Sequence, residues 1–430
     1  MDKGNQRFYL FLNLLSSFLI VSGATSGIKS IGLVLMSILM LPCPIAILPM
    51  IFVSSWSISF VAIPGVAAFF YYLVLFALSI ILNINNSVYI VKSSRYILFA
   101  LLFALWIFFR GFQSVSGDWY LPMKIALYIL PVIIFMKYRF RDIAFFRTSL
   151  VVIALFFTLY FLYIALFNQV DYLYVIEENG EPLNTLQSLS FRSDMNPNTA
   201  SQIVLPLFFI LFCEVFRSKK YWFLYFCFAL LDIVLLMYLG SRTAFFTVII
   251  TVFLYLMFIL KTSFVKKIFL VLVIGALAFG VNSQKYRFEQ AERLNVSSLQ
   301  EDEGNGRFIT WKYLSKEVIP NNWLKGIGVG RNNYNRYGFD YDADNMYIDL
   351  LCQTGVIGLT LFLLYYFRNL YYLFRLRGNK QDWNFLIAIF LAYLVEGWGE
   401  SVFDTPLFWF CALMAILAVN DMRIGRKRWD

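Results

Sequence analysis

Apolar runs close to the length of a bilayer-spanning helix recur along the chain, separated by short polar segments. In lipid each such run must satisfy its own backbone hydrogen bonds, which favours helices. The pattern predicts helices at 96–110, 120–136, 148–167, 200–216, 221–239, 243–261, 268–283, 346–367, 384–400 and 405–421. Residues 8–83 hold either two long spans or four short ones, and Pro42, Pro44 and Pro49 would break or kink any helix passing through them. Four spans keep Lys92 and Arg95 on one side with the other basic segments. The expected fold is then an all-α polytopic membrane protein of about 12 to 14 helices.

Charge orients these helices. The segments "KYRFRDIAFFR" (137–147), "RSKK" (217–220), "KTSFVKK" (261–267) and "RNLYYLFRLRGNK" (368–380) are basic, as is the tail "RIGRKRWD". The positive-inside rule puts them all in the cytoplasm with both chain ends. Residues 168–199, 284–345 and the tight turns near 240 and 402 then face outward. Residues 1–430 read as one integral membrane domain with two external loops. The smaller loop, 168–199, is acidic, with Asp171, Glu177, Glu178, Glu181 and Asp194 against Arg192. The larger, 284–345, carries nine bases and nine acids, and an amphipathic helix over 307–319 is expected to lie on the membrane surface. Phe308, Trp311 and Leu314 or Ser315 share related faces of that helix.

Composition narrows the class further. Sixty per cent hydrophobic and 14% charged residues, with a mean hydropathy of +0.69, exclude a soluble globule. The net charge of +10 sits in short loops between apolar runs, so it implies no nucleic-acid partner. Cys43, Cys213, Cys227, Cys352 and Cys411 all lie in or beside apolar segments without a CxxC pair, and read as packing residues. The N-terminus "MDKGNQRFYLFLNLLSSFLIVSGA" reads as an uncleaved first helix, since further membrane segments follow. The chain has no histidine, which argues against a metal site while leaving carboxylate-bound magnesium open, and no cofactor is expected.

Several polar residues stand out against this background. In "MYLGSRTAFFTVII" (237–250), Gly240 ends one helix, Ser241 is a natural N-cap and Arg242 falls in the next helix's first turn. An arginine with free backbone N–H groups suits phosphate, although an interfacial snorkelling arginine reads the same way. Arg307 opens the loop helix after "EDEGNG" and is either a second phosphate contact or an ordinary solvated arginine. Arg192 is a third contact or a partner for Asp194.

The acids gather near "GIGVGRNNYNRYGFDYDADN", an irregular loop whose Asn and Tyr suit sugar hydroxyls. Asp340, Asp342 and Asp344 alternate ahead of a helix, with Asp344 at or near its N-cap, Asn345 next, and Asp349 one turn further in. A carboxylate inside a membrane helix usually faces a polar cavity. Glu396 and Glu400 form an i, i+4 pair at another helix end, flanked by Gly397 and Gly399, which packing or function explains equally. A reaction that fits these residues passes a sugar chain from a lipid diphosphate to a hydroxyl. Arginine would stabilise the leaving diphosphate, and a carboxylate would serve as base where histidine is absent.

"GSRTAFF", "GRFITWKYLSKEVIPNNWLKGIGVG" and "DNMYIDLLCQTGVIGLTLFLL" together resemble, in order and spacing, the C-terminal half of the O-antigen ligase and polymerase superfamily over residues 237–368. The resemblance implies a bacterial inner-membrane, GT-C-like glycosyltransferase whose partners are undecaprenyl-diphosphate-linked donor and acceptor glycans and membrane lipid. For a polymerase, the resemblance leaves open a chain-length regulator as a further partner. It implies that Arg242 and Arg307 attend the lipid diphosphate. Where the ligase branch typically has a histidine-asparagine pair taken as the base region, this chain has Asp344-Asn345. That departure favours the polymerase branch, of Wzy type. Asp344 then stands at the base position, with Asp342 or Asp349 as orienting or substitute acids. Arg192, Asn345, Glu396 and Glu400 are expected beside the substrate. The alternatives are a ligase acting on lipid A-core and a lipid-glycan flippase. A flippase would show two similar halves or charges spread along many helices.

Overall fold

The computed structural model describes residues 3–22, 94–112, 143–167, 170–178, 181–190, 197–259, 307–338, 343–376 and 383–402, with a few single positions beside them. Its first helices are α1 (Lys3–Ser22), α2 (Ser94–Phe112), α3 (Ile143–Phe167), α4 (Pro197–Arg217), α5 (Trp222–Leu239) and α6 (Arg242–Leu254). A π turn, Tyr255–Ile259, prolongs α6. Then come α7 (Arg307–Tyr313), α8 (Ile319–Asn322), α9 (Met346–Leu376) and α10 (Asn384–Glu396). Among the described residues, five stretches are long and apolar enough to cross a bilayer: Arg147–Phe167, Pro197–Arg217, Trp222–Leu239, Arg242–Ile259 and Met346–Arg375. This is a helical, multi-pass membrane protein, as the apolar runs predict. The helices expected at 120–136 and 268–283, most of 8–83 and nearly all of 405–421 lie outside the described residues.

Three features differ from the expected pattern. Within 168–199, β1 (Val170–Glu178) and β2 (Glu181–Ser190) form an antiparallel hairpin with Val170 opposite Ser190. The all-α reading therefore holds for the spans, and this connection adds strands. Its signal was present in the sequence: Asn179-Gly180, between two runs of strand length, is the pair that two-residue hairpin turns favour. Second, the basic stretch from 368 is helical as far as Leu376, so α9 is longer than expected. Arg368 lies over the Phe99 ring, 5.3 Å from its centroid, and its stem is accommodated on an apolar surface. Third, the loop helix is continuous but not purely α, and it runs to Asn322, beyond the expected end. A π turn at Leu314–Val318 joins α7 to α8; Phe308 and Trp311 pair edge to face at 5.4 Å, while Leu314 is buried.

The described chain divides into two compact units. One comprises Met1–Ile153, Tyr313–Leu386 and Ser401–Asp430; the other comprises Ala154–Lys312 and Ile387–Glu400. In the second unit α4 is the central helix, packed against α5, α6 and β2. Its spanning window is 83% buried against 33% for α5, which turns Phe223, Leu224 and Val234 outward as a lipid-facing helix would. Phe208 and Phe212 stack along α4 at 5.5 Å, and Phe212 meets Tyr255 edge-on at 5.6 Å. A buried carboxylate, Asp232 of α5, accepts a hydrogen bond from the Thr158 hydroxyl of α3 at 2.7 Å.

In the first unit α2 lies along α9. Phe103 packs on Phe362, and Phe362 and Tyr366 stack on Phe408 at 5.8 and 5.6 Å. The helix α9 is interrupted at Gly355, where φ is +68° and ψ −175°. This is a conformation open essentially to glycine alone. The segment 323–330 occupies the interruption. Val356 N–H donates to the Trp323 carbonyl at 2.8 Å, Ile327 N–H to Cys352 O at 2.7 Å and Gly328 N–H to Gln353 O at 3.1 Å. The Gln353 side chain accepts from Gly330 N–H at 3.2 Å. Thus the carbonyls and N–H groups that a broken helix leaves without intrahelical partners are satisfied by the glycine-rich loop. Two residues one turn apart on α2 fasten both halves of this joint. Trp106 Nε1 donates to Thr354 O at 2.9 Å and Arg110 to Gly326 O at 2.7 Å.

Candidate functional site

Arg242 and Arg307 belong to the second unit. Gly240, at φ +65°, caps α5 through its N–H to Met237 O, and the chain turns at once into α6. Ser241 is extended, and its Oγ accepts from Ala244 N–H at 3.4 Å. Arg242 is the first residue of α6 and is partly exposed. The turn read from the sequence is therefore present residue by residue. The positive end of the helix macrodipole and the guanidinium lie together, an arrangement that favours an anion.

Arg307 begins α7, and its Nη2 lies 2.8 Å from Glu400 Oε1. That ion pair is largely shielded, with side-chain exposures of 20% and 11%. Glu396, the last residue of α10, is fully buried. Its polar neighbours are Glu400, Thr247 and Arg307. The Thr247 hydroxyl stands close to the carboxyl but outside hydrogen-bond geometry, and neither Glu396 oxygen has a hydrogen-bond partner among the described residues. After Glu396 the chain makes a tight turn, with Gly399 N–H on Glu396 O and Glu400 N–H on the same carbonyl. A Cβ on Gly399 would fall 2.5 Å from Thr243 Oγ1, so glycine lets this turn close against the start of α6. Arg307, Glu396 and Glu400 are thus gathered in one cluster, and the turn carrying Glu400 abuts the residue next to Arg242.

Asp344 and Asp349 belong to the first unit. Asp344 is not the cap. Asn345 is: its Oδ1 accepts from Tyr347 N–H at 3.0 Å and Ile348 N–H at 3.1 Å. Asp344 precedes it at φ +48°, the one non-glycine residue with positive φ among the described residues, and is partly exposed. Asp349 is fully buried, and the polar surroundings expected for it are supplied by the protein's own loop. Its Oδ1 accepts from the Tyr334 hydroxyl at 2.8 Å and from Ala343 N–H at 2.9 Å. Asp349 therefore ties the loop residue immediately before Asp344 to the helix that follows. Asp342 and Arg192 lie outside the described residues.

Asparagine can accept the same two bonds, whereas leucine cannot. Asp349→Asn is therefore expected to fold, while Asp349→Leu leaves a buried hydroxyl and a buried N–H unsatisfied, at about 1–3 kcal/mol each. Thermal midpoints of the two variants in detergent check this. Equal midpoints would mean that Asp349 does not anchor the loop.

Trp106 and Arg110 were not singled out from the sequence. Arg110 had a usable signal, an ionisable residue within the apolar run "FALWIFFRGF". No group of three or more acids or cysteines is placed to hold a metal ion among the described residues.

Residues 226–363 match the family model described as O-antigen ligase. This segment belongs to the O-antigen ligase/polymerase superfamily. The match includes Arg242, Arg307, Asp344, Asn345 and Asp349, and ends before Glu396 and Glu400. No curated protein matches the chain. The match and the spans support a role in O-antigen or related polysaccharide synthesis at a membrane.

Proposed function

We propose that this O-antigen ligase/polymerase superfamily member is a repeat-unit polymerase of a surface polysaccharide. It takes a growing glycan from one undecaprenyl diphosphate and transfers it to the non-reducing end of a new lipid-linked unit. The observation that carries this choice within the superfamily is Asp344-Asn345 at the position of the ligase branch's histidine-asparagine pair, in a chain without histidine. In this reading Arg242 and Arg307 hold the donor diphosphate and stabilise it as it leaves. Asp344 takes the proton of the attacking acceptor hydroxyl as the new glycosidic bond forms and the sugar–phosphate bond breaks. Arg192, Asp342, Glu396 and Glu400 line or adjust the substrate region. Asn345 and Asp349 hold the Asp344 loop in shape. The chemistry takes place on the periplasmic side of the inner membrane, with both termini cytoplasmic, as the basic loops imply.

The test is the gel profile of surface polysaccharide from a deletion strain, with and without the gene restored. Core carrying a single repeat unit, with the ladder returning on restoration, is the expected result. Bare core with long polymer still on its lipid carrier would instead make the protein a ligase. Restoration with Asp344→Ala is expected to leave the single-unit profile, and a normal ladder from that variant would remove Asp344 from the base role.

A further inference from the structure

Near the start of α6, Arg242 and Arg307 lie with two glutamates, and one of these, Glu400, is ion-paired to Arg307. Such a cluster does not attract a polyanion as an isolated arginine pair would. Glu400 already occupies Arg307 at 2.8 Å, in a shielded setting where a charge-assisted bond is stronger than in water. It is held there by a turn whose glycine, Gly399, closes on Thr243, so its local concentration at the guanidinium is high. An incoming anion must displace an intramolecular carboxylate of one charge.

That requirement sorts the anions a membrane offers. Phosphodiester lipid headgroups such as phosphatidylglycerol carry one charge and are abundant, whereas a prenyl diphosphate presents two phosphoryl groups. We propose that Glu400 is a specificity-determining residue, a resident anion on Arg307 that refuses singly charged phospholipid headgroups and yields to a diphosphate. Glu396 is buried one turn earlier, with Thr247 and Glu400 as neighbours, and packs beneath the turn that carries Glu400. The proposal rests on the reading of Arg307 as a diphosphate contact.

The experiment titrates full-length protein in detergent separately with phosphatidylglycerol and with undecaprenyl diphosphate, read by native mass spectrometry. Glu400→Gln is expected to gain at least tenfold in affinity for phosphatidylglycerol, about 1.4 kcal/mol. Its affinity for undecaprenyl diphosphate should stay level or rise. Unchanged phosphatidylglycerol binding would overturn the proposal. Weakened diphosphate binding would overturn it too, because Glu400 would then be orienting Arg307 for the ligand. The gain must vanish in the Arg307→Ala/Glu400→Gln double variant; a gain that persists places the phospholipid elsewhere and also overturns it. If Arg307→Ala alone leaves undecaprenyl diphosphate binding untouched, the underlying assignment of Arg307 fails instead. Should Glu400→Gln not fold, Glu400→Ser is read by the same criteria.

Discussion

Gly355→Ala is expected to yield no correctly folded protein. The added Cβ would overlap the carbonyl carbon and oxygen of Leu324 and lie 2.6 Å from Lys325 N, all of them backbone atoms held by the joint. The backbone at φ +68° adds strain of about 1–3 kcal/mol for any L side chain. Natural stabilities are only about 5–15 kcal/mol, so overlap and strain together remove a large share. Gly338 provides the control. Its φ is +80°, but nothing lies within 4 Å of its ideal Cβ, so Gly338→Ala meets strain without overlap. Size-exclusion profiles in detergent should show aggregate for Gly355→Ala and a normal peak for Gly338→Ala. Matching profiles would mean that the broken helix is not locked by the inserted loop.

Arg307→Ala is the second large effect, a loss of about 10²- to 10³-fold in polymerisation of a lipid-linked repeat unit by the purified protein. Removing this cation also strands Glu400 in a shielded site, which would lower stability by about 1–3 kcal/mol and could mimic a loss of function. The double variant Arg307→Ala/Glu400→Gln separates these causes. Its thermal midpoint should recover toward wild type while its rate stays low. Recovery of both would reduce Arg307 to a partner of Glu400. Arg307→Lys keeps the charge but loses the planar fork, and is expected to fall between wild type and Arg307→Ala.

Much of the second unit could be read before its coordinates were known. The ends of α4, α5 and α6 follow from apolar runs bounded by "RSKK" and by Gly240-Ser241, and the observed caps repeat that logic. Arg242 and Arg307 were found because a charge at the start of a helix is a local signal. The break in α9 had no comparable signal. "CQTGVIGLTLFLL" has the composition of a continuous membrane helix, and only the distant "GIGVG" segment lodged beside it reveals that Gly355 is an interruption. The capping role fell to Asn345 rather than Asp344 for a related reason: adjacent residues have almost equal capping propensity, and the Asp349–Ala343 hydrogen bond decides the register of the turn. Pairing of Arg307 with Glu400 joins residues 93 apart in sequence, a distance at which spacing carries no information.

The positive φ of Asp344 has a bearing on how chemistry can change at this position. A left-handed backbone is tolerated by glycine and by few other residues, chiefly asparagine, aspartate and histidine. Only two of that short set can accept a proton from a sugar hydroxyl near neutral pH. Main-chain shape thus acts as a filter on evolution here: glutamate, lysine or tyrosine would strain the turn, while aspartate and histidine are one substitution apart in function and nearly equivalent in fit. Under the base assignment proposed for Asp344, a chain that lacks histidine altogether keeps the one other side chain that satisfies both the backbone and the proton.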